Sequence, residues 1–75
     1  MERYANRSGD SGVEQYSIHP TSIKVKFKGN RTVYVYSHTT PGQMHVEKMK
    51  NLAVAGRGLS AYITKYVREQ YASKE

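Results

Sequence analysis

The sequence predicts a small α+β domain: a three-stranded antiparallel sheet followed by two helices packed on one of its faces, in the order β-β-β-α-α. Three observations carry this. Ser22–Lys28 alternates strictly, with Ile23, Val25 and Phe27 on one side and Lys24, Lys26 and Lys28 on the other, the period of a half-buried strand. Gly29-Asn30 follows as a turn signal and leads into Thr32–Ser37, rich in β-branched and aromatic residues. After Thr40-Pro41-Gly42-Gln43 the apolar residues recur at three- and four-residue steps, the period of helices.

Taken in order, residues 1–12 are polar and end in Ser8-Gly9-Asp10-Ser11-Gly12, so they read as a disordered leader that buries too little apolar area to offset the entropy of ordering. Residues 13–75 form the single domain. Val13–Ile18 is an edge strand in which Tyr16 and Ile18 share a face that Val13 does not, and His19-Pro20 ends it. The hairpin comes next, and its loop decides its chemistry. A two-residue loop at Gly29-Asn30, with glycine at the first central position, sets Val25 opposite Tyr34 and Ile23 opposite Tyr36, so both tyrosines join the apolar face. A three-residue loop moves Val33 and Val35 to that face and the tyrosines out beside the lysines. Turn chemistry favours the first register and binary patterning the second; we take the first.

Thr40 caps the first helix, Pro41 suits its first position and Gln43 completes a capping box. Val46, Met49, Leu52 and Ala53 form its buried stripe as far as Ala55, and Gly56-Arg57-Gly58 ends it. The second helix runs to about Ala72 and buries Leu59, Tyr62, Ile63, Tyr66, Val67 and Tyr71.

With the elements placed, the chain resembles the KTSC domain, a short module at the C-terminus of some lysyl-tRNA synthetases that also occurs as a stand-alone bacterial protein. The resemblance rests on Tyr34-Val35-Tyr36-Ser37, Ala55-Gly56-Arg57-Gly58-Leu59, Tyr62-Ile63, and Tyr66-Val67-Arg68 with Tyr71, and spans roughly residues 22–71. The chain departs from the pattern in holding one more residue between Phe27 and the first tyrosine. The resemblance implies RNA as a partner, through the family's attachment to a synthetase, and implies no catalytic residues.

The composition bears on function more broadly. At 75 residues the chain is one domain, of a size that buries only about 60% of its unfolded surface. It has no cysteine, so it draws on neither disulfides nor thiolate metal sites, which suits a cytoplasmic protein. No signal peptide or membrane span is expected at the polar N-terminus, and the two glycosylation-like triplets at Asn6 and Asn30 are read as chance. The net charge is +6, unevenly spread: residues 1–21 hold two basic and three acidic residues, whereas the remainder holds ten basic and three acidic. Such a surface attracts polyanions, although positive charge also serves solubility.

The chain has no nucleophile motif, carboxylate pair or phosphate loop, so an enzyme is not expected, nor is a cofactor. His19, His38 and His45 lack tight ligand spacing, so no metal site is expected. The candidate nucleic-acid-binding residues are Lys24, Lys26, Lys28 and Arg31 for phosphates, Tyr34 and Tyr36 as a stacking platform if they face outward, and Arg57 beside a helix start. Each has a plainer reading: lysines that guard a sheet edge, tyrosines of the core, and an arginine in an interhelical turn. The expected function is a non-enzymatic RNA-binding module. The alternative is a protein-interaction adaptor that uses an uncovered sheet edge or the Val33/Val35 face.

Overall fold

The computed structural model describes residues 1–7, 9 and 11–75. It is an α+β fold with a five-stranded antiparallel sheet: β1 (Glu2–Arg3), β2 (Val13–His19), β3 (Ser22–Phe27), β4 (Val33–Ser37) and β5 (Ser73–Lys74), arranged in chain order across the sheet. Between β4 and β5 lie α1 (Gln43–Ala55) and α2 (Leu59–Tyr62), the latter continuing as a π-helical turn over Ile63–Val67. The core joins Val13, Ile23, Val25 and Tyr36 of the sheet to Val46, Met49 and Ala53 of α1 and to Leu59, Ile63 and Val67 of the last helical segment.

The expectation of three strands is corrected at both ends. Glu2 pairs with Tyr16 and Arg3 with Gln15, so β2 is not an edge strand along that stretch. Tyr4 is buried, and its hydroxyl accepts the Leu59 N–H at 3.2 Å. The described part of residues 1–12 is therefore packed, not a leader outside the fold; Ser8 and Asp10 lie outside the described residues. The buried Tyr4 ring and the β1–β2 pairing together supply contacts that the polar composition does not announce.

The register slips between Val13 and Gln15, a bulge that turns Val13 to the same buried side as the Tyr16/Val25 pair. That explains the imperfect alternation of this strand. The β3–β4 register is the first of the two alternatives: Val25 opposes Tyr34 and Ile23 opposes Tyr36. The turn itself differs. Asn30 N–H bonds to Phe27 O at 3.2 Å, which puts Gly29, with φ +73°, at the third place of the turn, where a positive φ is needed. Asn30 Oδ1 then accepts the Thr32 N–H at 2.8 Å.

Helix α1 starts later than its sequence suggests. Thr40 and Pro41 belong to a loop closed by Ser37, whose N–H donates to Thr40 O and whose Oγ accepts the Thr40 N–H. Gly42 is the N-cap, and no side chain caps the helix. The C-terminal end is as expected: Gly56 is left-handed and returns its N–H to Leu52 and Ala53. A Cβ on Gly56 would come within 2.6 Å of Ala5 Cβ, so the N-terminal segment also needs glycine there.

The second helix is shorter than expected. Arg68 N–H reaches back to Ile63 O, the widened turn that closes it. Tyr71 leaves the helix and packs edge-on against Tyr34 and Tyr36 at 5.1 and 6.4 Å. The chain then joins β4 through hydrogen bonds between Glu75 and Val33 and from Ala72 to Val35. Tyr66, expected in the core, is 49% exposed. Leu59, Ile63 and Val67, four residues apart, suffice for the buried stripe.

Candidate nucleic-acid interface

The face of the sheet turned away from the helices carries the basic residues. Strand pairing sets Arg3, Gln15, Lys26 and Val33 in one row across four strands, and Ser17, Lys24, Val35 and Ser73 in the next. The two lysines stand in the middle of the sheet, where their aliphatic stems cover neighbouring strands and their side chains are only 30% and 27% exposed. Each meets a carboxylate: Lys24 reaches Glu75 at 3.0 Å, and Lys26 pairs with Glu14. They are not the free cations that alternation alone suggests.

Glu14 organises the rest. The hydrogen bond and charge of Lys26 hold its carboxyl below the ordinary carboxylate range, and the charges of Arg3 and Lys28 add to this. Arg3 of β1 and Lys28 of the hairpin turn thus stand near the carboxylate that Lys26 of β3 pairs with directly. Beside them a groove of about 400 Å³ opens between Arg3 and Asn6 on one side and Glu14, Gln15 and Lys28 on the other. Arg31 is exposed beyond the hairpin turn, continuing the basic end of the sheet. Arg3 was missed by the sequence reading because it fell in the supposed leader. The Glu2-Arg3-Tyr4 alternation was the available signal, too short to separate from chance.

Of the seven residues expected at the interface, Lys24, Lys26, Lys28 and Arg31 lie on or beside this face. Tyr34 and Tyr36 do not. Tyr36 is buried, and Tyr34 is half-buried between Phe27 and Tyr71, with ring centroids 5.6 and 5.1 Å away, so neither offers a ring to a base on the lysine side. Arg57 belongs to another element, the exposed α1–α2 connection. Leu59 N–H, one of the amides at the start of α2, is already bonded to Tyr4.

The exposed aromatic surface lies on the helices instead. Tyr62 and Tyr66 stack obliquely with centroids 4.7 Å apart, His45 of α1 lies within 5.9 and 6.4 Å of them, and Lys65 stands over Tyr66. His45 Nδ1 and the Tyr62 hydroxyl share a hydrogen bond of 2.8 Å. The other histidines are engaged singly, His19 with Ser17 and His38 with Glu47, and no group of three metal-ligating side chains occurs among the described residues. No helix among the described residues is long and apolar enough to cross a membrane. The chain matches no protein-family model, no curated protein and no solved structure.

Proposed function

We propose that the protein is a non-enzymatic module that binds RNA through its phosphate backbone, using the outer sheet face and the hairpin end. The observation that carries this reading is the placement of Arg3 and Lys28 around an open groove beside the Lys26–Glu14 ion pair, which leaves a local excess of positive charge. Arg31 and Lys24 extend it. In this reading a phosphate oxygen sits between Arg3 and Lys28, while Glu14 engages Lys26. Base identity is not read on this face, because the tyrosines of β4 turn inward; affinity therefore varies little with sequence. The KTSC-like motifs point to the same partner class.

A second reading is an adaptor that docks a protein on the same face. It is favoured by one observation: Val33 and Val35 alternate with the inward-facing Tyr34 and Tyr36, and so stand on the lysine face between the lysines and the C-terminal strand. Fluorescence anisotropy with a labelled RNA at several salt concentrations separates the two. The RNA reading expects binding at low salt that weakens steeply as salt rises, because condensed counterions are released. The absence of RNA binding at low salt, together with salt-insensitive capture of one protein partner, would favour the adaptor.

A further inference from the structure

We infer that a second site, the cleft where β4, the end of the last helical segment and β5 meet, binds a small aromatic carboxylate, with the Tyr36 hydroxyl, Arg68 and Lys74 receiving the carboxylate group. This inference is independent of RNA binding and uses none of the residues assigned to it.

The cleft has a volume of about 290 Å³. Its wall is aromatic: Phe27, Tyr34 and Tyr71 meet edge to face with successive centroids 5.6 and 5.1 Å apart. Such a wall favours a ring ligand over a bare ion. Tyr36 supplies the second observation. It is 1% exposed, yet no side chain among the described residues hydrogen-bonds its hydroxyl. Among the described residues, no side-chain oxygen or nitrogen is both fully buried and unpartnered. The Tyr36 hydroxyl therefore keeps its remnant of exposure, and Tyr36 lines this cleft. A tyrosine hydroxyl that keeps solvent access at a cleft, with no side chain bonded to it, is free to donate to a ligand there. Burial pushes its pKa up to about 12, with the neighbouring Tyr34 and Tyr71 hydroxyls adding to this, so at neutral pH it donates.

The charges decide the sign and size of the ligand's charge. An aromatic box ordinarily suits a cation, but here Lys74 already stands 5.9 Å from the Tyr34 ring and 5.4 Å from the Tyr71 ring. Arg68 adds a second positive charge at the rim, and Glu69 a negative one. One net positive charge suits a monoanion, a carboxylate in preference to a phosphate dianion.

The test is a ¹H–¹⁵N NMR titration of the full chain with benzoate, acetate, benzyl alcohol and phenyl phosphate. Benzoate is expected to give saturable shifts centred on Tyr34, Tyr36, Arg68, Tyr71 and Lys74. Acetate, which lacks the ring, and benzyl alcohol, which lacks the charge, are expected to give none. Tyr36→Phe keeps the buried ring, and Arg68→Gln alters only an exposed side chain; each is expected to weaken benzoate binding about tenfold, the scale of a charge-assisted hydrogen bond. No saturable shifts with benzoate, or unchanged affinity in both variants, would overturn the inference. Tighter binding of phenyl phosphate than of benzoate would overturn the assignment to a monoanion.

Discussion

Tyr4 is the residue on which the N-terminal segment depends, and its removal is expected to be severe. The side chain is 3% exposed, lies edge-on to Tyr16 with centroids 6.5 Å apart, and accepts the buried Leu59 N–H at the start of α2. Tyr4→Ala removes a fully packed ring and is expected to cost about 3–5 kcal/mol, as truncation of large core aromatics does. Stabilities of roughly 0.05–0.15 kcal/mol per residue put a chain of this length at about 4–11 kcal/mol, so much of the total is at stake. Tyr4→Phe keeps the ring and strands one buried amide, a loss of about 1–3 kcal/mol. At about 4–8 °C per kcal/mol for a domain of this size, the Phe variant should melt at least about 4 °C below wild type, and the Ala variant lower still or not fold at all. Thermal and urea unfolding followed by circular dichroism measures both. If both variants unfold like wild type, Tyr4 is not part of the core and residues 1–7 lie outside the fold.

Tyr66→Ala should change the urea midpoint little, since its ring is half exposed, whereas Ile63→Ala should cost about 2–5 kcal/mol in the same assay. Glu14→Gln should tighten RNA binding by freeing Lys26 from its ion pair and removing a negative charge near Arg3 and Lys28, measured by anisotropy at fixed salt; weaker binding would mean that Glu14 orders Lys26 more than it occupies it. Glu14 and Glu47 both titrate below the ordinary 4.5, Glu14 chiefly through the Lys26 hydrogen bond and Glu47 chiefly through Lys50. Their contribution to stability is therefore present above 4.5 and lost as pH falls through their lowered values, and the double Gln variant should show a flatter acid limb in a pH series of melting temperatures. Tyr36, with its pKa raised from 10.0 to about 12, has the opposite linkage: its contribution holds below pH 10 and is lost as pH rises toward 12, which ultraviolet absorbance of tyrosinate would follow.

The sequence carried the centre of this fold better than its ends. The Ile23/Val25/Phe27 alternation and the glycine turn led to the observed hairpin register, although the turn places Gly29 one position later than the two-residue loop requires. The Val46/Met49/Ala53 stripe and Gly56 marked α1 and its stop. The two outer strands were not legible, because each is two residues long and is recruited by something distant in sequence. Tyr4 finds Leu59, and Tyr71 finds Tyr34 and Tyr36. Helical periodicity carried the second helix too far for the same reason: Tyr71 keeps the spacing of a helix face but meets the sheet. At the interface, alternation put Lys24 and Lys26 on the outer face, but their pairing with Glu75 and Glu14 comes from tertiary proximity that no local pattern encodes.

The most direct test of the RNA-binding proposal is the salt dependence of affinity in two sets of variants. One replaces Arg3, Lys28 and Arg31, which have no ion-pair partner within 4 Å among the described residues, by Gln; the other replaces the paired Lys24 and Lys26 by Gln. If free cations displace counterions, the first set should shrink the log–log salt slope by about three contacts, close to 2.7 on the double-stranded DNA scale, and weaken all RNA sequences alike. The second set should shrink it less per residue removed, because those charges are already partly neutralised. An unchanged slope in the first set, or wild-type protein that binds no RNA at low salt, would contradict the proposal.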